Sequence, residues 1–500
     1  MTGDIFLQGG RMPGHAGTFD VLMADGRIHA IVPSGIVQTP VTSRVLALDG
    51  RFFVPGLWDN HVHFTLWAAQ RRRHDFAPVT GSADEVLAHV AALAGGAAAA
   101  STPLIGYGLR DGLWEGSLDR ARLDAAAGSR QVILISGDLH SCWLNSAALE
   151  RFGLGEHPTG YLREDDCFRV TIRVNDLSDA EGDELAAEAA RLAASRGIVG
   201  IVDLEMADNL TVWRRRIEAG QRDLRVAFGI YPSHLDSAIE ARLRTGDIIP
   251  NTQGLLTVGP FKVVTDGSLN TRTAYCYDEY PGLEGEPNSR GLLTVAPDDL
   301  LTLLERASGA GLTPAVHAIG DHANALALAA FERLDCGGRI EHAQLVGETD
   351  FARFAAAGVT ASVQPEHAMD DRDVADHYWA GRTDRAFALA SLRASGAALV
   401  LGSDAPVAPL DPWVTMAAAI GRSRDHRAPW HPEQRIPAAD ALAASANGAA
   451  IIGVGQPADL VVTDLDPLAA DPDALRTMPV SATFLAGRPT HLAPWAAALA

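Results

Sequence analysis

Lys262 is the sole lysine among 41 lysines and arginines, and it lies in Gly259-Pro260-Phe261-Lys262-Val263-Val264-Thr265-Asp266-Gly267. Arginine stays protonated inside proteins, whereas the amine of a partly buried lysine can lose its proton. A neutral amine adds to CO2 to give a carbamate, a carboxylate on a long arm that can bridge two metal ions. Residues able to share such ions recur in apolar surroundings. His61 and His63 stand in Trp58-Asp59-Asn60-His61-Val62-His63-Phe64, two residues apart, so in extended chain both imidazoles point the same way. His317 lies in Ala315-Val316-His317-Ala318, His342 in Arg339-Ile340-Glu341-His342-Ala343 and Asp404 in Leu401-Gly402-Ser403-Asp404-Ala405-Pro406. Each has an ordinary reading on its own, a hydrogen-bonded core histidine or a turn aspartate. Four imidazoles, an amine and a carboxylate delivered by separate segments are harder to assign to packing.

These residues need a scaffold that brings distant segments together. Eight short, mostly apolar runs, at 53–59, 198–204, 225–231, 256–265, 313–317, 339–343, 359–364 and 398–403, read as parallel strands buried on both faces, with helix-like segments between them. One such helix is expected over residues 179–195, after the capping box Ser178-Asp179-Ala180-Glu181, with Leu185, Ala189 and Leu192 on one face. The chain is therefore α/β, a (β/α)8 barrel of the TIM type. An open doubly wound sheet is the alternative, but no GxGxxG follows the first strand. Active sites of such barrels lie at the C-terminal ends of the strands. His61 and His63 follow the first strand, Lys262 is on the fourth, and His317, His342 and Asp404 end the fifth, sixth and eighth.

Both ends of the chain look like β structure. Asp25-Gly26 separates two short apolar strands, Asp49-Gly50 repeats the device, and Ala458-Asp459-Leu460-Val461-Val462 and residues 480–488 are strand-like again. Neither end has enough apolar surface to fold alone, so residues 1–52 and 451–500 are expected to form one small β-sandwich around a barrel spanning 53–450. Residues 65–176 are too long for an ordinary loop and read as a cap inserted after strand one.

A length of 500 residues with 47% hydrophobic content describes a large globular chain. The net charge of -21, with no basic stripe, argues against nucleic acid as a partner, and Arg71-Arg72-Arg73 and Arg214-Arg215-Arg216 read as solvated surface. Cys142, Cys167, Cys276 and Cys336 lack a CxxC spacing and read as ordinary thiols. No apolar run spans a membrane and Met1-Thr2-Gly3-Asp4 is no signal sequence, so a cytoplasmic location is expected.

Together these segments resemble the amidohydrolase superfamily, and within it the YtcJ-like branch that includes N-substituted formamide deformylases. Val54-Pro55-Gly56-Leu57-Trp58-Asp59-Asn60-His61-Val62-His63 is similar to the family's PGxxDxHxH motif. The run from Lys262 through Thr265-Asp266-Gly267-Ser268-Leu269-Asn270-Thr271-Arg272 to Ala274, together with His317-Ala318-Ile319-Gly320-Asp321 and Gly402-Ser403-Asp404-Ala405-Pro406-Val407, matches further motifs. Within the insertion, Asp138-Leu139-His140-Ser141-Cys142-Trp143 and Pro158-Thr159-Gly160-Tyr161-Leu162-Arg163-Glu164 resemble the same branch. His322 departs from the family's more usual arginine, at a place expected to govern substrate choice.

The resemblance implies two divalent metals, most often zinc, bridged by carbamylated Lys262 and a hydroxide. His61, His63 and Asp404 would hold the first ion, His317 and His342 the second. Imidazole nitrogen and carboxylate oxygen suit zinc, and two cations make hydroxide available near neutral pH. Asp404 would take the proton of the attacking hydroxide and pass it to the leaving nitrogen. The absence of a GxSxG motif favours direct attack by water. The implied function is hydrolysis of the C–N bond of a small non-peptide amide, N-acyl or N-formyl. Lactonase, carbamate hydrolase and deaminase chemistry share the same constellation, and a non-catalytic binding barrel is the alternative of another class. Substrate contacts are expected from Asp266 and Arg272 in the strand-four motif and, on the cap, from His140 to the substrate or oxyanion and Trp143 as an apolar wall. The partner is a small molecule, with a homo-oligomer left open.

Overall fold

Eight strands pair in chain order into one parallel sheet: β1 Leu57–Val62, β2 Ile198–Asp203, β3 Arg225–Ile230, β4 Leu256–Val264, β5 Pro314–Ala318, β6 Gly338–His342, β7 Val359–Val363 and β8 Leu399–Leu401. This is a computed structural model, which describes residues 4–36, 43–79, 81–94, 102–114, 118–449 and 451–499. The sheet closes on itself where Val62 bridges Ala405, with Asp404 N–H donating to His61 O at 2.7 Å and His63 N–H to Ala405 O at 2.9 Å. Closure therefore runs through the residues that carry candidate chemistry. Parallel strands need long crossovers, and the helices that supply them cover the barrel's outer face, so a strand such as β2 is buried at every position. The capping box at Ser178 and Glu181 starts the helix Asp179–Ser195, which packs through Ala186, Ala189, Ala190 and Ala193 while Leu192 lies 38% exposed. The arginines at 214–216 are not all solvated surface. Arg216 is buried because Asp183 of the neighbouring helix meets it at 3.1 Å and Thr65 Oγ1 accepts from it at 3.0 Å.

The first strand begins later than its apolar run. Phe52–Pro55 pairs antiparallel with Leu460–Thr463, and only after Gly56 does β1 enter the barrel. A Cβ on Gly56 would lie 2.5 Å from Val199 Cγ2, so the Pro55-Gly56 step is where the chain can pass between sheets. His61 consequently sits inside β1, with His63 just beyond it.

Both termini build the sandwich. Ile5–Gly10, Phe19–Ala24, Arg27–Pro33 and Arg44–Ala47 form one four-stranded sheet, and Phe52–Pro55, Leu460–Thr463, Val480–Leu485 and Arg488–Leu492 form the other. Leu7, Val21 and Phe53 share a core with Leu460, Val462 and Phe484. Asp25 and Gly26, at φ 51° and 74°, make the expected hairpin turn. Asp49 and Gly50 have the same left-handed geometry, but their flanking strands belong to different sheets, so that turn is a crossover and not a hairpin.

Between β1 and β2 the chain inserts a five-stranded sheet in the order Tyr161–Arg163, Ser141–Leu144, Val132–Ser136, Leu104–Leu109, His74–Asp75. Its strands alternate between two cores: Ile133, Ile135 and Cys142 face one helical layer, while Val132, Leu134 and Trp143 face the other. No helix among the described residues is long and apolar enough to cross a membrane.

Candidate metal centre and its cavity

The barrel register places the candidate ligands on one rim. Lys262 of β4 pairs with Ala315 of β5, Val264 with His317, and Ala318 with His342 of β6. At the opposite side of the closure, His61 Nε2 and His63 Nε2 each lie 3.4 Å from Asp404 Oδ1. Ligand atoms of His61, His342 and Asp404 lie within 4.8 Å of one another. The His317 ring is 4.5 Å from that of His342. His342 and Asp404 have φ of 74° and 56°, conformations that cost energy for residues with a Cβ and that here aim ligands inward. At His342 this ends the strand's alternation, so that Glu341 and His342 both reach His61.

Buried carboxylates hold this rim in shape. Glu341 accepts from His61 Nδ1 at 2.7 Å and is ion-paired to Arg339 at 2.9 Å, which leaves His61 Nε2 facing Asp404. Burial pushes Glu341 up, but Arg339 and His61 hold it well below the usual carboxylate range. Asp59 accepts from the backbone N–H groups of His61 and Ser403, at 3.1 and 3.0 Å, and so ties β1 to the segment bearing Asp404. Asp404 is also opposed by burial, yet the surrounding imidazoles keep it well below its ordinary value.

Burial, reinforced by neighbouring cationic groups, lowers His61 to about 4 and holds His317 and His342 well below the ordinary histidine range. Their lone pairs are thus available near neutral pH. Burial also lowers Lys262 to about 8. Among the described residues Lys262 Nζ and His342 Nδ1 have no hydrogen-bond partner, although both are buried. Leaving such atoms unpaired is costly, and a nitrogen- and oxygen-donor set with unmet lone pairs fits a divalent ion such as zinc.

A cavity of about 360 Å³ opens on these groups and continues under the inserted sheet. Leu66, Phe168, Ile172, Leu177 and Met206 form an apolar stretch of its wall. His140 lines it from the cap, with its ring 6.2 Å from that of His317. Its Nδ1 donates to Glu164 at 2.8 Å, and Glu164 in turn accepts from Thr271 and Thr273 of the segment after β4, at 2.9 and 2.5 Å. Burial works against the imidazolium, but Glu164 and Asp138 raise His140 to about 10. The cap thereby places the His140–Glu164 pair beside the candidate metal rim.

Three other expected contacts lie off the cavity wall. Trp143 is fully buried in the cap's own core with Leu134 and Phe76, because the period of two along Ser141–Leu144 turns it to the face opposite Cys142. Asp266 is buried and accepts from the backbone N–H groups of Tyr275, Ile319 and Gly320, at 2.9, 3.1 and 2.9 Å, so it staples the loops after β4 and β5. Arg272 places its guanidinium 5.4 Å from the Tyr378 ring centre. His322 is stacked on Tyr275 and Tyr277, at 4.6 and 4.2 Å, which also takes it away from the wall.

Sequence reasoning missed Glu164 as the partner of His140, and it missed His367, Asp370 and Asp371 altogether. All three of the latter line the cavity from the helix His367–Tyr378 that follows β7. A readable signal existed: Gln364-Pro365-Glu366-His367 follows a strand end, where the barrel delivers functional groups.

Comparison with known proteins accords with this geometry. A family described as Amidohydrolase family matches residues 44–491. Protein LONG AFTER FAR-RED 3 of Arabidopsis thaliana is 30% identical over 444 residues, covering 81% of this chain and 74% of that protein. N-substituted formamide deformylase of Arthrobacter pascens is 25% identical over 516 residues, covering 93% of this chain and 94% of that protein. An uncharacterized metal-dependent hydrolase of Pyrococcus horikoshii has a solved structure that superposes with a TM-score of 0.76 at 22% identity, covering 94% of this chain and 99% of that one, a likeness of fold.

Proposed function

The chain belongs to the amidohydrolase family, and on that premise we propose that this hydrolase cleaves the C–N bond of a small N-acyl or N-formyl amide. The observation that carries the reading is the buried amine of Lys262, without a hydrogen-bond partner among the described residues, on the same rim as four imidazoles and Asp404. The resemblance to a formamide deformylase supports the choice of bond.

His61, His63 and Asp404 would hold one divalent ion, zinc by donor type, and His317 and His342 a second, with carbamylated Lys262 shared between them. In forming the carbamate, the neutral Nζ makes a bond to the carbon of CO2 and one N–H proton is released. When bound, the metal supplies Lewis acidity, which acidifies water and polarises the substrate carbonyl. Asp404 accepts the proton of the attacking water and returns it to the leaving nitrogen, which without it is a poor leaving group. Glu341 keeps His61 oriented. His140, held by Glu164, donates from the cap to the oxygen that gains charge as the carbonyl becomes tetrahedral. The apolar wall excludes water and receives a hydrocarbon portion of the substrate.

The reaction is tested by assaying purified, metal-analysed protein on N-formyl amines, N-acyl amines, N-acyl amino acids and lactones. Hydrolysis of an N-formyl or N-acyl amine, abolished by chelation, is the expected result, and turnover confined to lactones overturns the assignment. The cap's part is tested separately. His140→Ala is expected to lower turnover by about a hundredfold, the scale of losing one donor to developing charge, with metal content and melting temperature little changed. Trp143→Ala should instead destabilise the cap by about 3–5 kcal/mol, as expected for a large buried ring, with turnover per folded molecule retained. Loss through stability alone in both variants would remove His140 from the reaction.

A further inference from the structure

The helix after β7 presents His367, Asp370 and Asp371 to the cavity, at positions i, i+3 and i+4 that share one helical face. His367 is 6% exposed, its Nε2 has no hydrogen-bond partner among the described residues, and that atom lies 3.9 Å from Asp404 Oδ2. One turn further on, the two carboxylates differ in how well they are satisfied. Asp370 is held by Arg110 of the cap at 2.9 Å and by Arg424 at 2.6 Å. Among the described residues, Asp371 accepts from Asn270 at 3.4 Å and Gln344 at 3.5 Å alone, both at the long limit of a hydrogen bond. Asp138, from the cap, adds a third carboxylate to this part of the wall, where it accepts from Ser268 at 2.7 Å. Arg110, on the same wall, is spent on Asp370. One carboxylate of this wall, Asp371, which burial pushes up to about 7, therefore has room for a strong donor.

We propose that this face is the leaving-amine subsite, and that it selects substrates whose nitrogen carries a short arm ending in an ammonium or similar N–H donor, bound by Asp371. The inference rests on the reading above, in which Asp404 returns a proton to the leaving nitrogen. That nitrogen must then lie beside Asp404, where His367 is the next group along the wall. From His367 to Asp371 is about 6 Å along the helix axis, the length of a short alkyl arm. The free His367 nitrogen faces the start of that arm and Asp371 its end. A carboxylate in the same place would meet Asp371, Asp138 and Asp370, so anionic N-acyl amino acids are disfavoured.

The test uses three formamides whose butyl arms end in an ammonium, a methyl or a carboxylate. It is paired with the matching methanesulfonamides, in which a sulfonyl group replaces the cleavable carbonyl. Calorimetric titration of the metal-loaded protein with the sulfonamides should show the ammonium compound binding at least about tenfold more tightly than the neutral one, as one charge-assisted hydrogen bond allows, and the carboxylate most weakly. In Asp371→Asn, confirmed as folded and metal-loaded, the preference for ammonium over methyl should disappear. Equal binding of all three, tightest binding of the carboxylate, or a preference that survives in Asp371→Asn overturns the proposal. Turnover of the formamides separates the two readings. If none is hydrolysed while the sulfonamides bind in the expected order, the subsite stands and the reaction assignment falls; if all are hydrolysed without a charge order, the reverse holds.

Discussion

Lys262→Arg is expected to lose metal and activity together while keeping the positive charge and the fold. The guanidinium cannot be deprotonated, so it cannot form a carbamate, and a longer cation would project toward the imidazoles that should hold an ion. Turnover should fall by more than about a hundredfold, beyond the range typical of losing an outer-shell partner. Elemental analysis should find less than the wild-type metal content at an unchanged circular dichroism spectrum. Lys262→Ala removes the arm but leaves space, so added acetate or propionate should restore part of the metal and part of the activity. A Lys262→Arg protein with full metal and full turnover would end the carbamate proposal.

Asp404→Asn should lower turnover by about a hundredfold or more, the scale of a lost general base, with substrate affinity changed less. The amide keeps the shape of the carboxylate but cannot take a proton. The structure limits which residue could replace it. Glu341 is committed to His61 and Arg339. Asp321 accepts from Tyr277 N at 3.0 Å and Arg385 at 3.1 Å and does not line the cavity. Near-normal turnover in Asp404→Asn would therefore move the proton-carrying role to His367, the group 3.9 Å away, and Asp404→Asn combined with His367→Ala would then abolish it.

What could be read from the chain alone was whatever local pattern encodes. Runs of residues buried on both faces identified parallel strands, their number and alternation with helices identified a barrel, and the barrel's polarity assigned His61, Lys262, His317, His342 and Asp404 to one rim. Even there, the single strand expected over 53–59 concealed that the chain changes sheets at Gly56, because a strand of the sandwich and a strand of the barrel need the same kinds of residue. Tertiary structure alone decided the polar walls. Glu164 meets His140, Thr271 and Thr273 across separations of 24, 107 and 109 residues, and no periodicity records such pairings. Trp143 and His140 lie three residues apart in one motif, but the pleat of the cap sheet sends the ring to a core while the turn leaves the imidazole at the cavity. Asp371 was indistinguishable in sequence from a solvated helix face. Its cavity position follows from where the β7 crossover sets the helix down, and that is fixed by closure of the whole barrel, not by any residue near it.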